Sequence, residues 1–520
     1  MRARLNDLAS SPILAPLMLA LFPVMFLWAR NARAGVGIRS VAVTALAALL
    51  FTALLFSIAY VIMRSPKKAS IATCVLVALF FSFGHVAASL NVRLGSIEES
   101  GLLIAYLLLA FAGVLMAASR GEEASPTLFR TISFVAVVLI AMNTFSLARL
   151  DAEAPISQSA VWSPQVDGWT MPSPARDVYY LIFDRYANEA TLAQQYGFDN
   201  SSFLASLEDQ GFYVVHDAVA NYPQTTHSLA SSLNMDHLHA LASAAGEDST
   251  DWRPLQRSLW GFAAAQAFQS MGYRYVHIGS WWGQTSTDPT ADVNDQVFGP
   301  GEFAQVFLDS TAWPALASRV GTDAYDARHI EFERVPLQFA AVRDVASDPA
   351  PTFTFAHFLL PHPPYVFNED GTFATSPDRP IAEAYLEQLK ATNGMIQSLV
   401  HDLLIGPNDE DPIVIVQSDE GPYPVDLEGS AAHVELPTQP SAVLERKLRI
   451  LNAYYFPGAG ADRALYPTIT PVNSFRVLFD SYFDAKLPLL PDRTFVFADD
   501  DHPYDFVDVT DRLSGERASP

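Results

Sequence analysis

The sequence predicts an α-helical transmembrane region followed by an α/β domain with a mostly parallel sheet and helices on both faces. Three observations lead there. Charge divides sharply along the 520 residues: positions 1–150 hold 12 Lys and Arg against 5 Asp and Glu, while the remainder holds 20 against 51. The first part contains five runs without a single Asp, Glu, Lys or Arg. The later part alternates short apolar runs with helical patterns, the signature of strands joined through covering helices.

The apolar runs are residues 12–29, 41–63, 70–90, 101–119 and 131–148. Each approaches the roughly 20 residues needed to cross a bilayer. Five in succession leave no polar face for water, so residues 1–148 read as a five-span region. The first is not expected to be a cleaved signal peptide, because other spans follow it closely. With a cytoplasmic amino terminus, the inner segments hold Arg2, Arg4, Arg64, Lys67, Lys68, Arg120 and Arg130, and the outer ones Arg30, Arg33, Arg39, Arg93 and Arg149. That excess of inner positive charge favours an extracytoplasmic carboxyl-terminal domain. His85 reads either as part of a polar pathway or as a neutral ring against a neighbouring helix. Cys74, the only cysteine, excludes an intrachain disulfide and a cysteine-based zinc site. The acidic balance of the later part argues against nucleic acid as a partner.

Residues 149–175, rich in Pro, Ser and Asp, read as a linker, and 176–520 as one α/β domain. Strands are expected at 177–183, 273–278, 351–357, 412–417 and 449–456, and helices at 201–210 and 381–404.

The chemistry is sought at strand ends. Residues 412–424 (PIVIVQSDEGPYP) run as a buried strand into Asp419 and Glu420, then turn at Gly421 and Pro422. Standing alone this is an ordinary acidic turn. The strand 177–183, however, ends on Asp184, and in a parallel sheet the carboxyl ends share one edge. Asp184, Asp419 and Glu420 are therefore expected to converge, and three crowded carboxylates are relieved by a divalent cation. Oxygen ligands suit Mg²⁺, Mn²⁺ or Ca²⁺, and Zn²⁺ also accepts carboxylates. Between the acids, residues 221–234 (NYPQTTHSLASSLN) lead into a helix start. Thr225 and Thr226 read as helix caps or, beside a metal, as hydroxyls where the helix amino terminus favours an anion. Residues 352–367 run from a strand into PHPPY, a stiff loop presenting His362 and Tyr365. His362 reads as a turn histidine or as a donor to an anionic group. His357, in mid-strand, reads as buried structure.

Together these residues resemble the alkaline phosphatase superfamily, in the sulfatase-like membrane-anchored branch that includes lipoteichoic acid synthases and phosphoethanolamine transferases. The resemblance covers about residues 175–510. It implies that Asp184, Thr225, Asp419 and Glu420 hold the metal, that Thr225 is the nucleophile and that His362 contacts the transferred or leaving group. Thr226, His227 and Tyr365 would border the substrate. Ser418-Asp419-Glu420-Gly421 matches a motif that usually reads Ser-Asp-His-Gly, so Glu420 marks a subgroup with Asp-Glu in place of Asp-His. Arg185 stands where classical sulfatases carry a second Asp, and the Cys/Ser-x-Pro-x-Arg signature is absent, which argues against the formylglycine route.

The resemblance implies a metal-dependent hydrolase or transferase acting on a phosphoester, rather than a sulfoester, of a cell-envelope lipid or glycan through a covalent threonine intermediate. The implied cofactor is Mn²⁺, Mg²⁺, Ca²⁺ or Zn²⁺. The implied setting is a multi-pass protein of a bacterial-type inner membrane, with the bilayer and a lipid-linked or glycan substrate as partners. The alternative is a catalytically silent domain that binds envelope glycan or a partner protein. A transporter is disfavoured by the scarcity of ionisable groups within the spans. Residues 277–285 (HIGSWWGQT) and 451–458 read as core and loop packing.

Overall fold

A computed structural model describes residues 11–32, 36–92, 96–123, 126–152, 166–295, 299–320, 327–376, 378–406, 410–424, 434–458 and 460–514. Arg2, Arg4, Arg33, Arg93 and about half of the expected linker lie outside them. The chain divides into two compact units, residues 1–154 with 300–330, and residues 155–299 with 331–520.

In the first unit, four helices are long and apolar enough to cross a membrane: Ile38–Met63, Pro66–Ser89, Ile97–Arg120 and Thr127–Arg149. The helix Leu14–Arg30 is shorter, with 17 residues and Pro23 inside it. Large apolar side chains such as Leu50, Leu54, Leu108, Phe111 and Phe134 point outward from these helices. In water that exposure would be costly, and against lipid it is the expected pattern.

Two short helices from far along the chain, Glu302–Asp309 and Trp313–Val320, belong to this same unit. Phe303 and Phe307, four residues apart on one helical face, are buried with Val24, Val41, Ala48 and Phe81. The turn between the two helices enters the backbone of Pro66–Ser89. Gly84 donates its N–H to the Ser310 carbonyl at 3.1 Å, and Ala312 donates to the Phe80 carbonyl at 2.9 Å. A Cβ on Gly84 would lie 2.6 Å from the Ser310 carbonyl, so any other residue would push the turn away. Arg319 pairs with the buried Glu99 at 3.4 Å.

The second unit is built on a seven-stranded sheet: β1 (Val178–Phe183), β2 (Tyr213–Val214), β3 (Arg274–Ile278), β4 (Val293–Asp295), β5 (Thr352–Phe358), β6 (Ile413–Gln417) and β7 (Asn452–Tyr455). Their order across the sheet is β2-β7-β6-β1-β5-β3-β4. The pairs among β6, β1, β5, β3 and β4 are parallel, whereas β7 runs antiparallel to β6 and to β2. The expected alternating α/β architecture is therefore present, with an antiparallel edge that the alternation does not predict. Every residue of β1 is buried because both faces are covered. Val178, Tyr180 and Ile182 pack in one cluster with Leu229, Leu233, Phe475 and Phe479. Tyr179, Leu181 and Phe183 pack in another with Phe339, Leu389, Leu399 and Val400. With β1 between β5 and β6, three strands deliver their carboxyl ends side by side.

Candidate metal centre

At that edge Asp184 follows β1, His357 lies near the end of β5, and Asp419 follows β6. One ligand atom from each lies within 4.8 Å of the others, and this is the candidate metal group among the described residues. Asp184 Oδ2 and His357 Nε2 are 3.8 Å apart. The three are almost wholly buried, at 2 %, 0 % and 2 % exposure. Asp184 Oδ1, both carboxylate oxygens of Asp419 and His357 Nε2 have no hydrogen-bond partner. Buried polar atoms left so are expensive, unless a ligand completes them. A mixed carboxylate and imidazole set converging on one point fits a divalent cation.

Electrostatics point the same way. Burial, reinforced by Asp419 and then Glu420, holds the Asp184 carboxyl well above the usual carboxylate range. Burial and the neighbouring Glu420 push Asp419 up to about 7. The nearby Thr225 hydroxyl opposes that rise, although no hydrogen bond of ordinary geometry reaches either Asp419 oxygen. Burial, with His277 adding to it, lowers His357 to about 3, so its ring is a neutral ligand at ordinary pH.

The backbone around the group is tied down. Ser418 accepts the Tyr186 N–H at 3.0 Å and donates to the Glu420 carbonyl at 2.7 Å, which locks the end of β6 to the turn after β1. Arg185, between Asp184 and that turn, holds a left-handed φ of 62°. Such a conformation costs energy for a non-glycine residue and is found at sites where the surrounding structure enforces it.

Glu420 departs from expectation. Its Oε2 lies 2.8 Å from Lys447 Nζ and its Oε1 lies 3.1 Å from Arg185 Nε. Lys447 is fully buried on the helix Ser441–Leu448, donates to the Gly421 carbonyl at 3.0 Å, and lies 4.1 Å from the Tyr423 ring centre. Gly421 permits this approach: a Cβ there would lie 2.5 Å from the Arg446 carbonyl oxygen. The expected subgroup with Asp-Glu in place of Asp-His is thus corrected. The triad is Asp184, His357 and Asp419, and Glu420 is the partner of two protein cations. The histidine comes from a different strand, not from the position after Asp419.

A cavity of about 260 Å³ lies beside the group, lined by Asp184, Arg185, Thr225, Thr226, His362 and Glu420, with Trp281 and Trp282 among its walls. Thr225 opens the helix Thr225–Asn234, whose N-cap is Gln224, without a side-chain cap bond. The capping alternative for Thr225 is therefore not realised, and its hydroxyl lies at a helix amino terminus that faces the cavity. His362 is half-buried in its loop, and its Nδ1 is bonded to the Pro363 carbonyl. Desolvation, then the Arg185 guanidinium, lowers its pKa well below the ordinary value. The fully buried Gln388 steadies this loop, donating to the His362 carbonyl at 2.8 Å and accepting the Val366 N–H at 2.7 Å.

Two expected substrate contacts lie elsewhere. His227 is fully buried, donates to the Pro503 carbonyl at 2.8 Å and stacks on Phe497 at 4.3 Å. Tyr365 packs edge-on against Tyr385 and does not line the cavity. The expectation that His357 is only buried structure is corrected, since it is buried and also a member of the metal group, and Lys447 carries no expectation from the sequence.

The family model described as Sulfatase matches residues 177–450, more than half of the chain. No curated protein matches it in sequence. Among solved structures, the C-terminal periplasmic domain of EcEptC from Escherichia coli is 13% identical, with a TM-score of 0.41, covering 65% of this chain and 93% of that one. The integral membrane protein lipooligosaccharide phosphoethanolamine transferase A from Neisseria meningitidis is 12% identical, with a TM-score of 0.38, covering 91% and 96%. The phosphonate monoester hydrolase of Agrobacterium radiobacter is 12% identical, with a TM-score of 0.38, covering 62% and 80%. With the sequence match running from the start of β1 past the last residues of the site, the chain belongs to the sulfatase family.

Proposed function

We propose that this protein is a metal-dependent hydrolase or transferase acting on a phosphoester of a cell-envelope lipid or glycan through a covalent Thr225 intermediate. The observation that carries the reading is the buried, unpartnered Asp184, His357 and Asp419 group next to a threonine hydroxyl in one cavity. Asp184, His357 and Asp419 would hold the ion, with Thr225 beside them. An imidazole in the set favours Zn²⁺ or Mn²⁺ over Ca²⁺. When bound, the cation supplies positive charge for the phosphoryl oxygens and lowers the pKa of an adjacent hydroxyl.

The chain's own residues do the rest. Thr225 Oγ1 bonds to phosphorus as the bond from phosphorus to the leaving oxygen breaks, and the hydroxyl proton ends on the departing alcohol. Water or a second alcohol then attacks the threonine ester, and its proton returns to Thr225 as that ester breaks. The first-turn N–H groups of Thr225–Asn234 and the Arg185 guanidinium favour an anionic group in the cavity. His362, with its Nδ1–H bonded to Pro363, keeps a lone pair on Nε2 and would contact the transferred or leaving group by accepting a hydrogen bond as a neutral ring. The membrane helices support a multi-pass protein, and the excess of inner positive charge in the sequence would put the catalytic domain on the extracytoplasmic side, where it would meet lipid-linked substrates.

The test is Thr225→Ala, assayed on a chromogenic phosphodiester with mass spectrometry for a phosphorylated threonine in the wild type. Turnover and adduct are both expected to vanish with folding retained, and full activity in the variant removes Thr225 from the role. The second reading, a silent domain that binds envelope glycan or a partner protein, draws on Glu420 being taken up by Lys447 and Arg185. A purified protein that stays metal-free when offered Zn²⁺ and Mn²⁺ would favour it.

A further inference from the structure

The stretch HIGSWWGQT, residues 277–285, leaves β3 and folds back on itself: Ser280 donates its N–H to the Thr285 carbonyl at 3.1 Å, and Trp282 donates to Ser280 Oγ at 3.2 Å. This fold buries Thr285 to 1 % exposure. Its hydroxyl oxygen lies 2.9 Å from His357 Nδ1 and 2.8 Å from Ser280 Oγ. The loop is braced from behind. His277 donates from Nε2 to the Thr285 carbonyl at 2.9 Å. The Tyr275 hydroxyl bridges His277 Nδ1 at 3.0 Å and the fully buried Asp288 at 3.2 Å. Gln338 ties the two strands together, donating to the His357 carbonyl at 2.8 Å and to the Gly279 carbonyl at 3.2 Å.

We propose that Thr285 is a positioning residue for the metal centre, fixing the ring of His357 so that Nε2 presents its lone pair between Asp184 and Asp419. The inference rests on the metal-centre reading above. The proton arrangement that serves a metal ligand has His357 Nδ1–H donating to Thr285 Oγ1, and Thr285 donating its own proton to Ser280 Oγ. In that tautomer Nε2 carries no proton, as a metal ligand requires, and a histidine's second nitrogen sets which tautomer is held. Rotating the ring by half a turn would put Cε1 instead of Nε2 toward the acids and withdraw Nδ1 from Thr285, whose hydroxyl would then keep only Ser280 as a partner. The loop therefore selects both the orientation and the proton position of a ligand that it does not itself supply.

The experiment uses the full-length protein in detergent, stripped of metal and titrated with Zn²⁺ against a chromophoric chelator. Thr285→Val keeps the shape and removes the hydroxyl, and it is expected to weaken Zn²⁺ binding about 10–100-fold, the usual effect of losing an outer partner of a ligating histidine. Thr285→Ser restores the hydroxyl and most of the affinity. Ser280→Ala, which frees the Thr285 proton to turn toward His357 Nδ1 and so favours the wrong tautomer, is expected to weaken binding as well and carries the test if Thr285→Val does not fold. Wild-type affinity in Thr285→Val, or in Ser280→Ala where that variant stands in, overturns the positioning role. A wild type that binds no Zn²⁺ overturns the metal-centre reading itself, and the proposal with it.

Discussion

Asp419 and Glu420 are adjacent in sequence, equally buried, and solved in opposite ways. Asp419 has no hydrogen-bond partner on either oxygen, and burial and then Glu420 raise it, with Thr225 and Lys447 opposing only part of that rise. Glu420 is held between Lys447 and Arg185. A buried charge is tolerable only when compensated. The two positions show one turn dividing that compensation, with protein cations for one acid and a site open to a cation from solution for the other. The contrast also explains why a glutamate can stand next to the metal group without joining it.

The contrast can be broken in three ways. Metal content should separate the two acids most widely. Asp419→Ala is expected to lose bound Zn²⁺ by more than the roughly 10–100-fold that losing an outer partner costs, whereas Glu420→Gln retains it. Equal losses in metal analysis of the two variants would erase the distinction. Lys447→Met should come next, since it leaves Glu420 with Arg185 alone in a buried position and is expected to cost about 3–5 kcal/mol in denaturant unfolding. Adding Glu420→Gln should recover part of that loss, and a negligible cost for Lys447→Met would show that the ion pair is not what holds the turn.

The pH dependence of the metal-free protein should be the smallest effect. Asp184 and Asp419 have raised pKa values in the folded state, so they keep protons that the unfolded chain releases above about pH 4. The unfolded state then binds fewer protons, and stability should fall as pH rises from about 4 to about 7. In chelator the unfolding midpoint should be lower at pH 7.5 than at pH 5, more so than in Asp419→Asn, and added metal should reverse the order. Identical profiles for wild type and Asp419→Asn would mean that Asp419 is not strained when metal-free.

Much of this is legible in the amino-acid sequence. Buried strands that stop on acids put Asp184 and Asp419 on one edge, because a parallel sheet leaves no other place for them. Thr225 was legible as a hydroxyl at a helix start. His357 was not, because a histidine inside TFTFAHFLL has apolar neighbours on every side in sequence. Its signal was its phase: it shares a strand face with Phe353 and Phe355 and is level with Ile182, two residues before Asp184. Using that phase requires knowing that β5 lies beside β1. Lys447 was hidden for a similar reason, since its partnership with Glu420 runs through a helix 27 residues later and through the close approach allowed at Gly421. Burial of His227 beneath Phe497 depends on a segment some 270 residues away, which no local pattern announces.

The interlock of Gly84 with Ser310 has a practical corollary. The polypeptide passes from its second unit back into its first and out again, so cutting it near residue 175 does not yield two self-sufficient halves. A fragment beginning there would carry Phe303, Phe307, Ala312 and Ala315 stripped of their cover. The severed amino-terminal piece would keep an apolar groove alongside Gly84 with nothing to fill it. Biochemists isolating the carboxyl-terminal part should expect it to demand detergent, or to behave only once that returning hairpin is excised and its ends rejoined.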